Sequence, residues 1–467
     1  MGKPSRATTD ALEAAGAAID RAGEADRRVL ASATVEIEPL DPAGAAFASR
    51  LASDRWFCWE HRDDEGFALA ALGSAHEVVS RGAARFADVA ADTAAALRDA
   101  AREEPAELPA GAGPVWTGGF AFESDGGREP QWSSLPPGLM VLPELSLLRV
   151  GGRCFLTVNA IVTGNGEEAR LRIERRLSGL RDAPLPALDP APTARTEIGS
   201  PYPPGRFEEI VAAARERIAA GEISKAVLAR EITVSASAAH DPAPLFGALR
   251  DLFPSCFCFC VGTPEAAFIG ASPELLIRRR GAVAATVALA GSARRSADPA
   301  VDDHLGQQLL ASDKDRSEHE IVVHRIERAL RRRAVWVRAE ERPALVKVAN
   351  IQHLATPVRA QLADSRSAVE LAGELHPTPA VGGEPREAAL ELIAEFEGMD
   401  RGWYAAPVGW TDAAEDGEFC VALRSALLRD RVAHLYAGGG IVADSDPAAE
   451  LAETEIKFEA LLPLLAG

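Results

Sequence analysis

Lysine is scarce. Five residues (Lys3, Lys225, Lys314, Lys347 and Lys457) share the positive charge of this 467-residue chain with 45 arginines. Where nearly every cation is a guanidinium, a surviving lysine is a candidate for a task that needs a compact amine, or one able to lose its proton. Positive charge as a whole is also short, with 50 Lys plus Arg against 69 Asp plus Glu and a net charge of −19. A surface that acidic repels phosphate backbones and anionic lipid, so no nucleic-acid or membrane-surface partner is expected. An anionic small molecule can still bind, but only in a pocket with its own cations or metal. No stretch approaches the about 18 uninterrupted apolar residues of a membrane-spanning helix. The opening MGKPSRATTDALEAAG lacks an apolar leader core. The six cysteines show no paired framework, so a soluble, reduced, cytoplasmic chain is expected. In SCFCFCVG, Cys256, Cys258 and Cys260 alternate with other residues, which as a strand puts all three thiols on one face, either as a metal site or as small hydrophobes in a core.

What is present is a 47% hydrophobic share, enough for a sizeable core. Residues 1–28 are Ala-rich and polar and read as a frayed helix or disordered lead-in. Residues 29–182 hold strand-like runs (VEIEP, RWFCWEH, GFALAALG, VWTGGFAFES, LMVLPELSLLRV, CFLTVNAIV) around a helical AAARFADVAADTAAALRDAA. The Pro-rich stretch 183–205 reads as a linker. Residues 206–467 form a denser region with a long amphipathic helix over about 315–333, later helices in SAVELAGEL and REAALELIAEFEG, and strands in YAAPVGW, EFCVALRSALLR and VAHLYAGGGIV. Strands and helices neither alternate strictly nor segregate, which predicts an α+β fold of mixed sheets flanked by helices.

Several residues stand out chemically. Lys225, in GEISKAVLARE, opens a strand. It is either an ordinary exposed lysine or, if desolvated, an amine able to act as a general base. Glu274, in FIGASPELLIRR, sits in a turn between apolar strands, either solvated or held dry and protonated, hence able to donate. Asp315 and Glu318 lie one helical turn apart on one face, and so do Glu450 and Glu453, with Lys457 a further turn along. Such pairs are common on solvated helix faces, but two of them could clamp one hard cation such as Mg²⁺ with water completing the shell. His319 and His324, five apart, are poorly spaced for a shared metal. Gly438, Gly439 and Gly440 lack the nucleotide-loop pattern but let backbone amides approach a carboxylate. Arg424, amid the apolar run VALRSALL, needs an anionic partner, either a protein acid or a bound carboxylate.

Taken in order, SKAVLARE, FIGASPELL, VALAGSARR, SDKDRSEHEIVV, HPTPAVGG, RGWYAAPVGW, DGEFCVALRSALL and AGGGIVADSDPAAELAETEIKFEAL resemble the chorismate-utilising enzymes: anthranilate synthase large subunits, aminodeoxychorismate, salicylate and isochorismate synthases. The resemblance covers over half the chain, between about residues 205 and 464. It implies an anthranilate synthase large-subunit-like fold built as a single interleaved unit. Family members that add ammonia usually carry Gln at the position of Lys225, whereas those that add water carry Lys. Ala290 replaces the nucleophilic Lys of aminodeoxychorismate synthases, which removes that covalent route. The wording of HPTPAVGG and RGWYAAPVGW looks most like isochorismate synthases, with a salicylate synthase as the alternative. The resemblance implies Mg²⁺ on Glu318 and Glu453, aided by Asp315 and Glu450; Lys225 as base and Glu274 as acid; Arg424, Tyr404 and the amides of Gly438, Gly439 and Gly440 on the enolpyruvyl carboxylate; and Ser292, His376 and Lys457 lining the ring, with Gly291 letting the backbone approach. Chorismate is then the small-molecule partner, and a monomer is expected. Menaquinone, a catecholate siderophore and salicylate are all possible destinations of the product.

Overall fold

The computed structural model describes residues 6–25, 27–189, 195–348 and 351–466. Two large sheets carry the fold. The first has thirteen strands, in the order Thr196–Gly199, Lys225–Ala236, Val432–Ile441, Ser425–Arg429, Ala267–Ser272, Phe257–Gly262, Trp56–His61, Phe67–Leu72, Leu145–Val150, Arg153–Val162, Val29–Ile37 and Ala101–Glu103, with Gly383–Glu384 pairing beside Lys225. The second has ten, in the order Ala334–Ala339, Ile351–Leu362, Val283–Arg294, Leu275–Arg280, Gly417–Val421, Pro407–Asp412, Val115–Phe120, Gly138–Leu142 and His76–Ser80, with Ala344–Lys347 also on Ile351–Leu362. All pairings are antiparallel except Val29–Ile37 with Ala101–Glu103. In each sheet a block of strands from residues 196–441 is hydrogen-bonded to a block from residues 29–162, so both sheets run across the two halves of the chain as one α+β unit.

Chain order explains where the sheets part. Ala267–Ser272 belongs to one sheet and Leu275–Arg280 to the other, so the chain changes sheet at Pro273 and Glu274. It changes back between Gly417–Val421 and Ser425–Arg429, across Ala422, Leu423 and Arg424. The two crossings are hydrogen-bonded to each other's ends, with Val421 N–H donating to Glu274 O at 3.0 Å and Ala271 N–H to Arg424 O at 3.1 Å. Two strands that cross between sheets at one level cannot fill the space between them with regular ladder. That is where a cavity opens.

Three sequence expectations change in the structure. Residues 6–23 form a packed helix (Arg6–Gly23) in place of a frayed lead-in, with Ala11, Ala15, Ala18, Ile19 and Ala22 buried. Alanine makes a weakly apolar stripe, and its period is easily passed over as composition. The Pro-rich stretch contributes an edge strand, Thr196–Gly199, and the start of a helix at Pro204. EFCVALRSALLR is two strands in different sheets, so Arg424 occupies a connection and not a strand interior. Cys256, Cys258 and Cys260 are buried, with Cys258 and Cys260 inside Phe257–Gly262, and they pack as small hydrophobes with Cys58. No helix among the described residues is long and apolar enough to cross a membrane.

Candidate active site

The cavity between the sheets has a volume of about 210 Å³, and its wall includes Lys225, Glu274, Gly291, Ser292, Asp315, Glu318, Tyr404, Arg424, Gly438, Gly440, Glu450, Glu453 and Lys457. Lys225 opens the strand Lys225–Ala236, whose Val227, Leu228 and Ala229 face Gly440, Gly439 and Gly438 across the ladder. Its side chain is 1% exposed, and Nζ donates to Glu318 Oε1 at 2.7 Å. Glu274, 4% exposed, stands at the first sheet crossing. Burial pushes its carboxyl up to about 8 against the opposing pull of the Lys225 charge, a hydrogen bond from Thr378 Oγ1 at 3.5 Å and the Arg424 charge. Near neutral pH it therefore carries its proton. The cavity thus holds a dry amine and a protonated carboxyl on one wall set.

Arg424 marks the second crossing. Its φ of +48° lies in the left-handed region that a non-glycine side chain rarely adopts, and such strain is kept where a side chain must be aimed. Among the described residues no acid lies within ion-pair distance of its guanidinium, and desolvation lowers its pKa. Of the two partners left open by the sequence, a bound anion is the one the surroundings leave room for. Tyr404, buried beside it on the cavity wall, is pushed up to about 12 by burial and so stays a neutral donor.

The acid pairs arrive on two helices, Asp313–Arg331 and Pro447–Phe458. Ser312 caps the first helix by accepting from Asp315 N–H at 3.2 Å, and Gly291, at φ +74° in a bulge of Val283–Arg294, lets that helix approach. A Cβ on Gly291 would come within 3.2 Å of Asp315 Cβ. Glu453 is held down to about 2: burial opposes, but the Lys457 charge and hydrogen bond at 2.7 Å and the Ser292 hydroxyl at 2.9 Å outweigh it. Glu450 is raised to about 7 by burial and by the Glu453 charge, and its Oε2 is buried without a partner. A Cβ at Gly439 or Gly440 would fall 2.8 Å from a carboxylate oxygen of Glu450 or Glu318, so the glycines clear space for these acids. Hard oxygens, one of them orphaned, suit a hard cation that keeps part of its water. No three of the four acids bring oxygens within 4.8 Å of one another among the described residues, because Glu318 turns to Lys225 and Glu453 to Lys457 and Ser292.

Two of the residues singled out in the sequence lie off the wall. His376 is packed behind it, with its Nε2 3.0 Å from Phe122 O and its ring 5.6 Å from that of Phe122. Burial drives its pKa down to about 3, so it is a neutral core residue. Gly439 lies in the strand but faces Glu450. Conversely, His353 and Lys314 line the cavity; Lys314 is marked in the sequence only by the scarcity of lysine, and His353 by nothing. His353, in Ile351–Leu362, is 3.2 Å from Gly291 O through Nδ1, while its Nε2 is buried without a partner. IQHLATPVRAQL alternates only beyond Pro357, over residues 358–362, so nothing around His353 itself announces a strand. His61, Asp64 and Glu418 form a second His-acid cluster, but Arg278 already neutralises both of its carboxylates. A larger cleft of about 500 Å³ near Arg176 is likewise lined by arginines spent on its own acids, Arg176 on Asp54 and Glu144 and Arg55 on Glu77.

Behind Lys225 sits a buried ion pair. Arg401 Nε donates to Glu397 Oε2 at 2.9 Å, and its Nη atoms to Val381 O at 2.9 Å and Val227 O at 2.7 Å. Glu397 also accepts from Ala229 N–H at 2.7 Å. These bonds tie the Lys225 strand to the segments around 381 and 397. Arg401→Ala is expected to cost about 3–5 kcal/mol, because it leaves a carboxylate buried and unpaired. Denaturant unfolding would read the loss, and an unchanged midpoint would refute it.

A buried acid and amine facing an unpaired arginine and two acid pairs make the cavity that of an enzyme for a small anionic substrate. The chain belongs to the chorismate binding enzyme family, whose pattern it matches over residues 17–466. It is 38% identical over 453 residues to the salicylate biosynthesis isochorismate synthase of Pseudomonas aeruginosa, covering 96% of this chain and 93% of that protein. It is 34% identical to isochorismate synthase MenF of Bacillus subtilis, covering 96% of each. The structure of MenF, the menaquinone-specific isochorismate synthase from Escherichia coli, superposes with a TM-score of 0.80 at 27% identity, over 98% of this chain and all of that one.

Proposed function

We propose that the protein is an isochorismate synthase, adding water at C2 of chorismate with loss of the C4 hydroxyl. The observation that carries the reading is the pairing, on one cavity, of the dry Lys225 amine with a Glu274 carboxyl that keeps its proton up to about pH 8. Water is a poor nucleophile and hydroxide a poor leaving group, so this displacement needs a base on the attacking water and an acid on the departing oxygen. Lys225 takes the proton from water as it attacks C2. Glu274 donates to the C4 hydroxyl, the ring double bond shifts, and water leaves. Arg424 and Tyr404, with the amides near Gly438 and Gly440, receive the enolpyruvyl carboxylate through charge-assisted bonds. Glu318, Glu453, Asp315 and Glu450 are the residues to hold Mg²⁺. Bound there, the ion would neutralise the ring carboxylate and share the charge that Glu318 otherwise offers Lys225.

The direct test is to incubate the pure chain with chorismate and Mg²⁺ and resolve the products. Isochorismate is expected. Fluorescent salicylate with pyruvate would move the assignment to a salicylate synthase, and anthranilate formed with ammonia would refute both. Chelation should abolish turnover and added Mg²⁺ restore it. Glu318→Ala should lose that dependence together with activity, and full turnover in chelator would remove the metal from the scheme.

A further inference from the structure

We propose that Thr378 is a positioning residue for the proton of Glu274: its hydroxyl holds Oε1, so the proton stands on Oε2, the oxygen open to the cavity. This rests on the reading of Glu274 as the acid and deepens it. The backbone of Glu274 is fixed from two sides, its N–H donating to Ser272 Oγ at 3.2 Å and its O accepting from Val421 N–H at 3.0 Å. The carboxyl is fixed at one oxygen only. Thr378 Oγ1 donates to Oε1 at 3.5 Å. Oε2 has no hydrogen-bond partner among the described residues, and unlike the orphaned oxygen of Glu450 it is not sealed off. Glu274 is on the cavity wall and Thr378 is not, so the free oxygen faces the cavity and the held one faces away.

A hydroxyl and a neutral carboxyl can each donate or accept, so the pair has two arrangements. In one, Thr378 accepts the acid proton from Oε1. Its own hydrogen is then buried without an acceptor, because Thr378 is 4% exposed and Glu274 is its hydroxyl's one partner among the described residues. In the other, Thr378 donates to Oε1 and the acid proton sits on Oε2, free for the leaving oxygen. Only this one leaves no buried donor unmade, and an unmade bond is the costlier state. Thr378 is itself held in place. Its O accepts from Val381 N–H at 3.1 Å and Gly382 N–H at 2.9 Å, and Val381 O accepts in turn from the buried Arg401 at 2.9 Å. The charged groups facing the carboxyl are Lys225 and Arg424, and the Cys420 thiol nearby is kept neutral by burial.

Thr378→Val keeps the outline of the side chain and removes the hydroxyl. With chorismate and Mg²⁺, kcat should fall about 2- to 10-fold, the worth of one hydrogen bond, at a nearly unchanged KM. A donor to a carboxyl favours its ionised form, so losing it should move the alkaline limb of the pH–rate profile up by about half to one pH unit. A merely structural role would lower kcat and leave that limb in place. Thr378→Ser, which keeps the hydroxyl, should restore both. In a Glu274→Gln background the valine change should cost nothing further, because it acts through the acid. Thermal unfolding certifies each fold, and Thr378→Ala takes the place of a valine variant that does not fold. A wild type that makes no isochorismate defeats the underlying reading and this inference with it. An active wild type beside a valine variant with unchanged kcat and limb, or a valine loss as large in the glutamine background, overturns the role of Thr378 alone.

Discussion

Replacing Lys225 with Gln is expected to lower the conversion of chorismate by at least about 10²- to 10⁴-fold, the usual worth of a positioned general base. The amine is closed off from solvent on a strand whose far side is fixed by Arg401, and its Nζ reaches into the cavity and meets Glu318 at 2.7 Å. Glutamine is one bond shorter but unbranched up to its amide and keeps an N–H donor on the side of Glu318, so the fold around residue 225 survives while proton acceptance does not. The loss should fall on kcat, since a base acts in the transition state and adds little to ground-state binding. Thermal unfolding and the far-UV spectrum should match the wild type. A glutamine variant with wild-type turnover would strip Lys225 of this role, and one that fails to fold would be replaced by Lys225→Met to settle the point.

Much of this site is legible in the amino-acid sequence, and the reason is local. Lys225, Glu274, the two acid pairs and Lys457 each sit in a short run where residue type and spacing admit a chemistry (a rare amine, a carboxyl at an apolar turn, carboxylates one helical turn apart), whereas Gly291 enters only through the family resemblance. The readable part of the fold is equally local. The long helix expected over about 315–333 spans Asp313–Arg331, its start set by the Ser312 cap. What stays hidden is non-local. Arg424 reads as an arginine in a strand because VALRSALL is apolar throughout; only the departure of Gly417–Val421 and Ser425–Arg429 into different sheets shows that it turns a corner. His376 has the look of a ligand, yet Phe86 and Phe122 close over it. His353 has no visible pattern because Pro357 and the polar residues of its strand break alternation. The Ala stripe of Arg6–Gly23 is a core face only because Val29–Ile37 lies beneath it.

Glu274→Gln separates function from stability in opposite directions, which makes it the more diagnostic change. As the proton donor to the leaving oxygen, Glu274 must be protonated, so wild-type activity should fall as pH rises through about 8, where its carboxyl ionises. Glutamine is neutral at every pH and has no proton to give, so turnover should drop about 10²- to 10⁴-fold. The stability effect has the other sign. The carboxyl ordinarily titrates near 4.5 and in the folded protein near 8, so between those values the unfolded chain ionises while the folded one does not. Stability is therefore lost as pH climbs from about 4.5 to 8, by an amount on the order of a few kcal/mol. Glutamine, of the same shape and without this titration, removes that slope. At pH 8 the variant should resist denaturant better than the wild type; below about pH 4 the two should converge. A variant that is both inactive and less stable at pH 8 would mean that Glu274 is held ionised as part of an ion pair, and the acid would have to be sought elsewhere on the cavity wall.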